Sequence, residues 1–162
     1  MLPDWDLRDG ELDGVDVATP IASHPVHELL WNSAEIYPDR VCVDFLGKTH
    51  SYRAMANLAD HIAFALQERG LQKGDRVGIM LPNCHYFVAF YYGILKAGGV
   101  VVNFNPLQSE RDVLAQAGDA DCFAMVTLDL VATLPKALAC LRAGHTQKLI
   151  ICSMTEGLDF AT

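Results

Sequence analysis

Apolar residues in this chain follow two spacings, and the spacing changes at turn residues. Leu29, Leu30, Ser33, Ala34 and Tyr37 fall at helical intervals and predict a helix from about Val26 to Ile36, ended by Pro38-Asp39-Arg40. Val41 to Leu46 reads as a strand, Gly47-Lys48 as a two-residue turn and Thr49 to Ser51 as the return strand of a hairpin. Ser51 then caps a helix from Tyr52 to about Glu68, with Met55, Leu58, Ala59, Ile62 and Leu66 on one face and Gly70 at its end. Arg76 to Leu81 is a strand. His85 to Ala97 is an apolar helix stopped by Gly98-Gly99, and Val100 to Phe104 is the strand after it. Neither of these last two shows a clean polar face, which places them at the centre of a sheet and its covering helix.

The alternation continues beyond Asn105-Pro106. Ser109-x-x-Asp112 is a capping box opening a helix expected to end at Gly118. Cys122 to Thr127 is a strand. A helix from about Asp129 to Arg142 is expected to break in two at Pro135 and close at Gly144. Lys148 to Cys152 is the last strand. A helix and a β-hairpin followed by repeated αβ units predict an α/β fold, an open, mainly parallel sheet with helices on both faces. Residues 1–20 read as a flexible acidic lead-in, 21–152 as the α/β portion and 153–162 as a linker.

Composition narrows the function classes. The chain has 162 residues, 51% of them hydrophobic and 20% charged, which suits one packed domain. A net charge of -8 without a basic patch leaves no footprint for nucleic acid. The lead-in carries Asp4, Asp6, Asp9, Glu11, Asp13 and Asp16, unlike a secretory signal. Lys96 and the glycine pair interrupt the apolar run after His85, short of the roughly 20 residues a spanning helix needs. The five cysteines are scattered without a Cys-x-x-Cys, as expected of buried thiols in a reducing, cytoplasmic compartment.

The usual chemistry-bearing motifs are missing. There is no Gly-x-Gly-x-x-Gly after a strand, no phosphate loop of the Gly-x-x-x-x-Gly-Lys-Ser/Thr type and no Gly-x-Ser-x-Gly elbow. Gly93 to Gly99 lies at a helix end, where glycines cannot cradle an anion against helix amides. His24 and His27 lack a nearby third metal ligand and read as a polar helix start. Cys84-His85 opens a buried helix, where a thiol could feel the helix N-terminus, but sequence neighbours on a helix do not face each other. Asp119 and Asp121 read as a solvated turn. Asn103 and Asn105 read as residues that hold backbone at a strand end. No catalytic, cofactor-binding or metal residue is assigned.

Read together, segments from about residue 26 to 152 resemble the N-terminal part of acyl-adenylate-forming enzymes, most closely the long-chain fatty acid–CoA ligases. Leu30 to Arg40, LWNSAEIYPDR, resembles the family's opening helix. Thr49 to Asp60, THSYRAMANLAD, resembles its first core motif. Lys73 to Asn83, KGDRVGIMLPN, is similar to its strand and exit, and Gly93 to Pro106, GILKAGGVVVNFNP, to its second core motif. Ala54 stands where the family has a Glu, which removes the reciprocal half of a Ser51 capping box at a cost of about 0.5 to 1 kcal/mol. The family's Ser/Thr/Gly-rich loop ending in Pro-Lys-Gly, its aromatic-Gly-x-Thr-Glu segment, ribose-binding Asp, hinge and C-terminal lysine have no counterpart in this chain.

The resemblance implies a partial N-terminal domain of the acyl-CoA synthetase fold. For the full-length parent it implies ATP, Mg2+ and CoA as cofactors and a fatty acid as substrate. The parent would form an acyl-adenylate and pyrophosphate, from which CoA displaces AMP. The fragment alone is expected to be inactive, to bind none of these tightly and to have the remainder of the ligase as its partner. Peripheral membrane association would suit a long-chain substrate. The alternative is a stand-alone acyl-binding or partner-binding domain derived from that fold.

Overall fold

The computed structural model describes residues 11–12, 15–16 and 24–155. Most of the expected lead-in at 1–20 and of the expected linker at 153–162 lies outside the described residues. Within the lead-in, β1 (Glu11–Leu12) and β2 (Val15–Asp16) pair antiparallel.

The first helix, α1 (Glu28–Ile36), packs on α2 (Tyr52–Glu68). Leu30 is buried, with Trp31 and Ala34 against the same cluster, whereas Leu29 and Tyr37 are exposed. The inward face is therefore rotated from the expected one, because Trp31 reaches across to α2. Between these helices lies the hairpin of β3 (Val41–Phe45) and β4 (Lys48–Ser51). Its turn is Leu46-Gly47, one residue earlier than expected. Both residues take positive φ, 54° and 85°, as a two-residue turn that follows the strands' twist requires. Ser51 caps α2 as expected, its Oγ accepting from the Ala54 amide at 3.2 Å.

The main sheet contains β5 (Arg76–Met80), β6 (Val100–Asn103), β7 (Ala124–Leu128) and β8 (Leu149–Cys152). All neighbours are parallel, in the order β6-β5-β7-β8. The valine strand after Gly98-Gly99 is not at the centre as expected: among the described residues it is an edge strand, and the centre belongs to β5 and β7. Val100 and Asn103 are exposed, while every residue of β7 is buried. A run of valines marks a strand, but only pairing decides whether one or both of its edges are filled.

Alternation along the central strands divides the core in two. Val77, Ile79, Ala124, Val126 and Leu128 face α2 and α3 (His85–Lys96). Met80 and Met125 face α4 (Glu110–Ala120) and α5 (Leu134–Arg142) on the other side. The sheet thus has helices on both faces, as the pattern predicts. Gly98, at φ +89°, ends α3, and the Gly99 amide returns to the Ile94 carbonyl at 2.9 Å.

Two helix boundaries differ from expectation. α4 runs through Gly118 and ends at Asp121, a residue in the left-handed conformation (φ 47°) that Asp tolerates. Pro135 does not break a helix; it lies in the first turn of α5, where its missing N–H is no loss. Turns occupy residues 131–133, just before α5.

Candidate functional site

Parallel α/β sheets place ligands outside the carboxyl ends of their strands, where the strand order reverses. Here that point lies between β5 and β7, since the chain goes from β5 to β6 on one side and returns to β7 on the other. The connections that rim it are Leu81 to Cys84, Phe104 to Ser109, Asp129 to Thr133, and Ser153-Met154.

Polar groups along this rim are used to hold backbone. Asn105 Oδ1 accepts from the Leu107 amide at 2.9 Å, closing a local turn, and the Gln108 side chain accepts from the Asn105 amide at 3.1 Å. Gln116 reaches back to donate to the Asn103 carbonyl at 2.9 Å. The Asn105 side chain thus holds backbone as expected, whereas at Asn103 it is the main-chain carbonyl that is held, by Gln116. Lys136 of α5 donates to the carbonyls of Pro106 and Gln108 at 2.9 and 2.7 Å, pinning the loop after β6 from across the rim. Asp129 accepts from the Met154 amide at 2.8 Å, and Thr133 donates to the Leu128 carbonyl at 3.2 Å. The clamp by Lys136 has no signal in the sequence, because 28 residues separate donor and acceptor.

Two apolar grooves flank the sheet. One, of about 440 Å3, runs between the start of α4 and the β7–α5 connection, lined by Val131, Leu134, Pro135 and Leu138 with Glu110 and Arg142 among its polar residues. The other, of about 190 Å3, lies where α2 and α3 leave the face of β8 uncovered, lined by Ile62, Leu66, Phe90 and Ile150 among others. Neither holds a nucleophile beside a base.

The residues weighed from the sequence do not form a centre. His24 pairs with Glu28 at 3.4 Å, and His27 meets the Trp31 ring edge-on at 6.0 Å. Among the described residues no group of three or more His, Cys, Asp and Glu could hold a metal ion. Asp119 lies on α4 and Asp121 ends it, both exposed. Cys84 is the N-cap of α3 and is 2% exposed. Burial pushes its thiol pKa up, and the opposing backbone amides of Phe87 and Tyr86 do not reverse this. It is therefore not an activated nucleophile.

The contact that sequence reading missed involves its neighbour. His85 stacks on His50 of β4, with ring centroids 4.4 Å apart and planes at 19°. Burial and Lys48 hold both imidazoles below the ordinary histidine value, and His85, which also feels His50, is held at about 4. No local pattern pairs residues from a hairpin strand and a later helix.

Comparison with known proteins adds the family context. The sequence profile described as AMP-binding enzyme matches residues 30–161. The long-chain-fatty-acid–CoA ligase of Bacillus subtilis (strain 168) is 38% identical over 141 residues, which cover 87% of this chain and 25% of that protein. The long-chain-fatty-acid–CoA ligase of Yersinia pestis is 34% identical over 136 residues, 83% of this chain and 24% of that protein. The chain thus spans about a quarter of the length of these relatives. Among solved structures, the anthranilate CoA ligase AuaEII with anthranoyl-AMP superposes with a TM-score of 0.74 at 16% identity, over 82% of this chain and 26% of that one. The N-terminal domain of FACL13 from Mycobacterium tuberculosis superposes at 0.70 with 23% identity, over 80% and 34%. These two likenesses show the fold.

Proposed function

Because the chain belongs to the AMP-binding enzyme family, we propose that it forms the N-terminal part of a long-chain fatty acid–CoA ligase. In the parent reaction a fatty acid carboxylate attacks the α-phosphate of ATP, forming an acyl-adenylate and releasing pyrophosphate. The thiol of CoA then attacks the acyl carbon and AMP leaves. The observation that carries this reading is the match to relatives named for that activity, over most of this chain but about a quarter of their length.

The residues present do not fit ATP or Mg2+. The glycines that could approach a phosphate sit elsewhere: Gly93 is buried between α2 and α3, and Gly98 ends a helix rather than preceding one. The described residues also offer no converging set of carboxylates for a metal. No step of the reaction is therefore placed on a side chain described here. What this part supplies is scaffold, a parallel sheet clamped at its carboxyl ends.

The open flank of that scaffold supports the same reading. Among the described residues β8 pairs with β7 alone, Ile151 is half exposed, and the groove beside Ile150 is apolar. We place the remainder of the ligase chain on that flank, since an unpaired strand edge beside apolar surface is a docking and aggregation hazard when bare. The parent is read as cytoplasmic, with loose membrane contact to collect its substrate. No helix among the described residues is long and apolar enough to cross a membrane.

The test is to supply the purified chain with ATP, Mg2+, a long-chain fatty acid and CoA. No acyl-CoA is expected, and its formation by the chain alone would refute the reading. A reading frame that continues past Thr162 into a Ser/Thr/Gly-rich loop ending in Pro-Lys-Gly supports it, and a stop codon there overturns it. Saturable fatty-acid binding by the chain itself would point instead to a stand-alone acyl-binding domain.

A further inference from the structure

The His50–His85 stack joins two elements that are distant in sequence. His50 lies on β4, opposite Val43 in the hairpin, and His85 is the first residue of α3. Each ring has a buried nitrogen without a hydrogen-bond partner, Nε2 of His50 and Nδ1 of His85. His85 is 5% exposed. A buried polar atom left unpaired destabilises the folded state, so packing alone does not account for two of them together.

A shared metal ion does not fit this geometry. Imidazole ligands bind through lone pairs lying in their ring planes, with Zn–N of about 2.0 to 2.1 Å. Two rings stacked 19° from parallel direct those lone pairs along separate planes. The pair fits a different use, since neutral imidazoles stack there, while a proton on either ring would put a charge in a buried place beside Lys48.

The surroundings favour the neutral state from each side. On the hairpin, Lys48 acts on both rings as a like charge to any imidazolium. On α3, the Tyr86 ring packs 4.0 Å from that of His85, and the adjacent Cys84 thiol is held protonated by burial. α2 packs against both the hairpin and α3 but contributes no charge acting on either ring. Among the described residues no carboxylate acts to stabilise a proton there.

We propose that the His50–His85 stack is an acid-released latch, which holds the β3–β4 hairpin on the start of α3 while both rings are neutral and frees it when the pair takes up a proton. Since α3 follows the carboxyl end of β5 through the rim connection Leu81 to Cys84, the latch ties the hairpin to the rim of the sheet. The sign follows from linkage. In the released form the rings titrate near the ordinary 6.5, so below that value the released form binds more protons than the closed one. The closed form is fully favoured above 6.5 and loses ground as pH falls from 6.5 towards the value of about 4 for His85.

Hydrogen exchange on the 162-residue chain, corrected for intrinsic rates, reads the latch directly. Between about pH 7.5 and about pH 5, amides of residues 41–51 should lose about tenfold in protection while those of β5 and β7 keep theirs. The double variant His50→Phe/His85→Phe keeps two stacking rings without a titrating nitrogen, and its hairpin should be equally protected at both pH values. An equal acid loss in that variant, or none in the original chain, overturns the proposal. Should the variant fail to fold, a proton NMR titration of the original chain decides. Midpoints for His50 and His85 below 6.5 that move together with the hairpin amides support the latch. Midpoints at or above 6.5, or hairpin amides that do not move, refute it.

Discussion

The Lys96 ammonium lies 4.0 Å above the centroid of the Trp31 ring. The same lysine pairs with Asp60, and the Trp31 indole N–H donates to that carboxylate at 3.3 Å. One residue from each of α1, α2 and α3 thus meets at a single point. The ion pair is more than a third exposed on both sides, which limits its worth, and the cation over the ring adds about 0.5 to 1 kcal/mol at such a site. A double-mutant cycle with Trp31→Leu and Lys96→Met, read by urea unfolding, should give a coupling of about 0.5 kcal/mol. Strictly additive effects would show that the ammonium does not dwell over the ring.

Helix α3 can lie against α2 only because residue 93 has no side chain. A Cβ built there would sit 2.8 Å from Ile62 Cγ2 and 2.9 Å from the Ala59 carbonyl oxygen. Gly93→Ala should therefore destabilise the chain by about 1 to 3 kcal/mol, despite alanine's better helix propensity. Adding Ile62→Ala to it should recover part of the loss if the contact is the cause. A neutral or stabilising Gly93→Ala would mean that the helices sit further apart.

The N-terminus of α2 offers a change in the opposite direction. Ser51 already caps the Ala54 amide, but Ala54 cannot answer with a side chain of its own. Ala54→Glu completes the capping box and puts a negative charge on the positive end of the helix. It should stabilise by about 0.5 to 1 kcal/mol, and Ser51→Ala should cost about 1 kcal/mol. Thermal unfolding of the two variants checks both signs, and a lower Tm for Ala54→Glu would contradict the cap geometry.

The cysteines should prove slow to react in the folded chain. Burial raises the pKa of Cys42, Cys84 and Cys140 above the ordinary value, and that of Cys122 to about 11. A raised pKa leaves less thiolate at a given pH, so reactivity should lag that of a free thiol and grow with pH. Ellman's reagent at about pH 8 should label the half-buried Cys42 first and all five thiols only after denaturation. Rapid native labelling of Cys84 would show that the start of α3 activates it after all.

What the sequence by itself determined was local. The order of elements from α1 onward, the caps at Ser51 and Ser109 and the glycine stop at Gly98 rest on interactions within a few residues, and each stands in the structure. The segments that resemble the acyl-CoA synthetases could likewise be read, since they are contiguous stretches. Boundaries were less legible where two local rules compete: Pro135 can break a helix or begin one, and Gly118 can end a helix or lie within it.

Tertiary structure decided what depends on long-range meeting of faces. Val100–Asn103 became an edge strand because β7 paired with the other side of β5. Lys136 became a clamp for the loop after β6, Gly93 a point of close helix approach, and His50 a partner for His85. The physical reason is common to all four. Hydrophobic period tells a residue which face of its own element it occupies, but only the packing of one element on another determines what lies opposite.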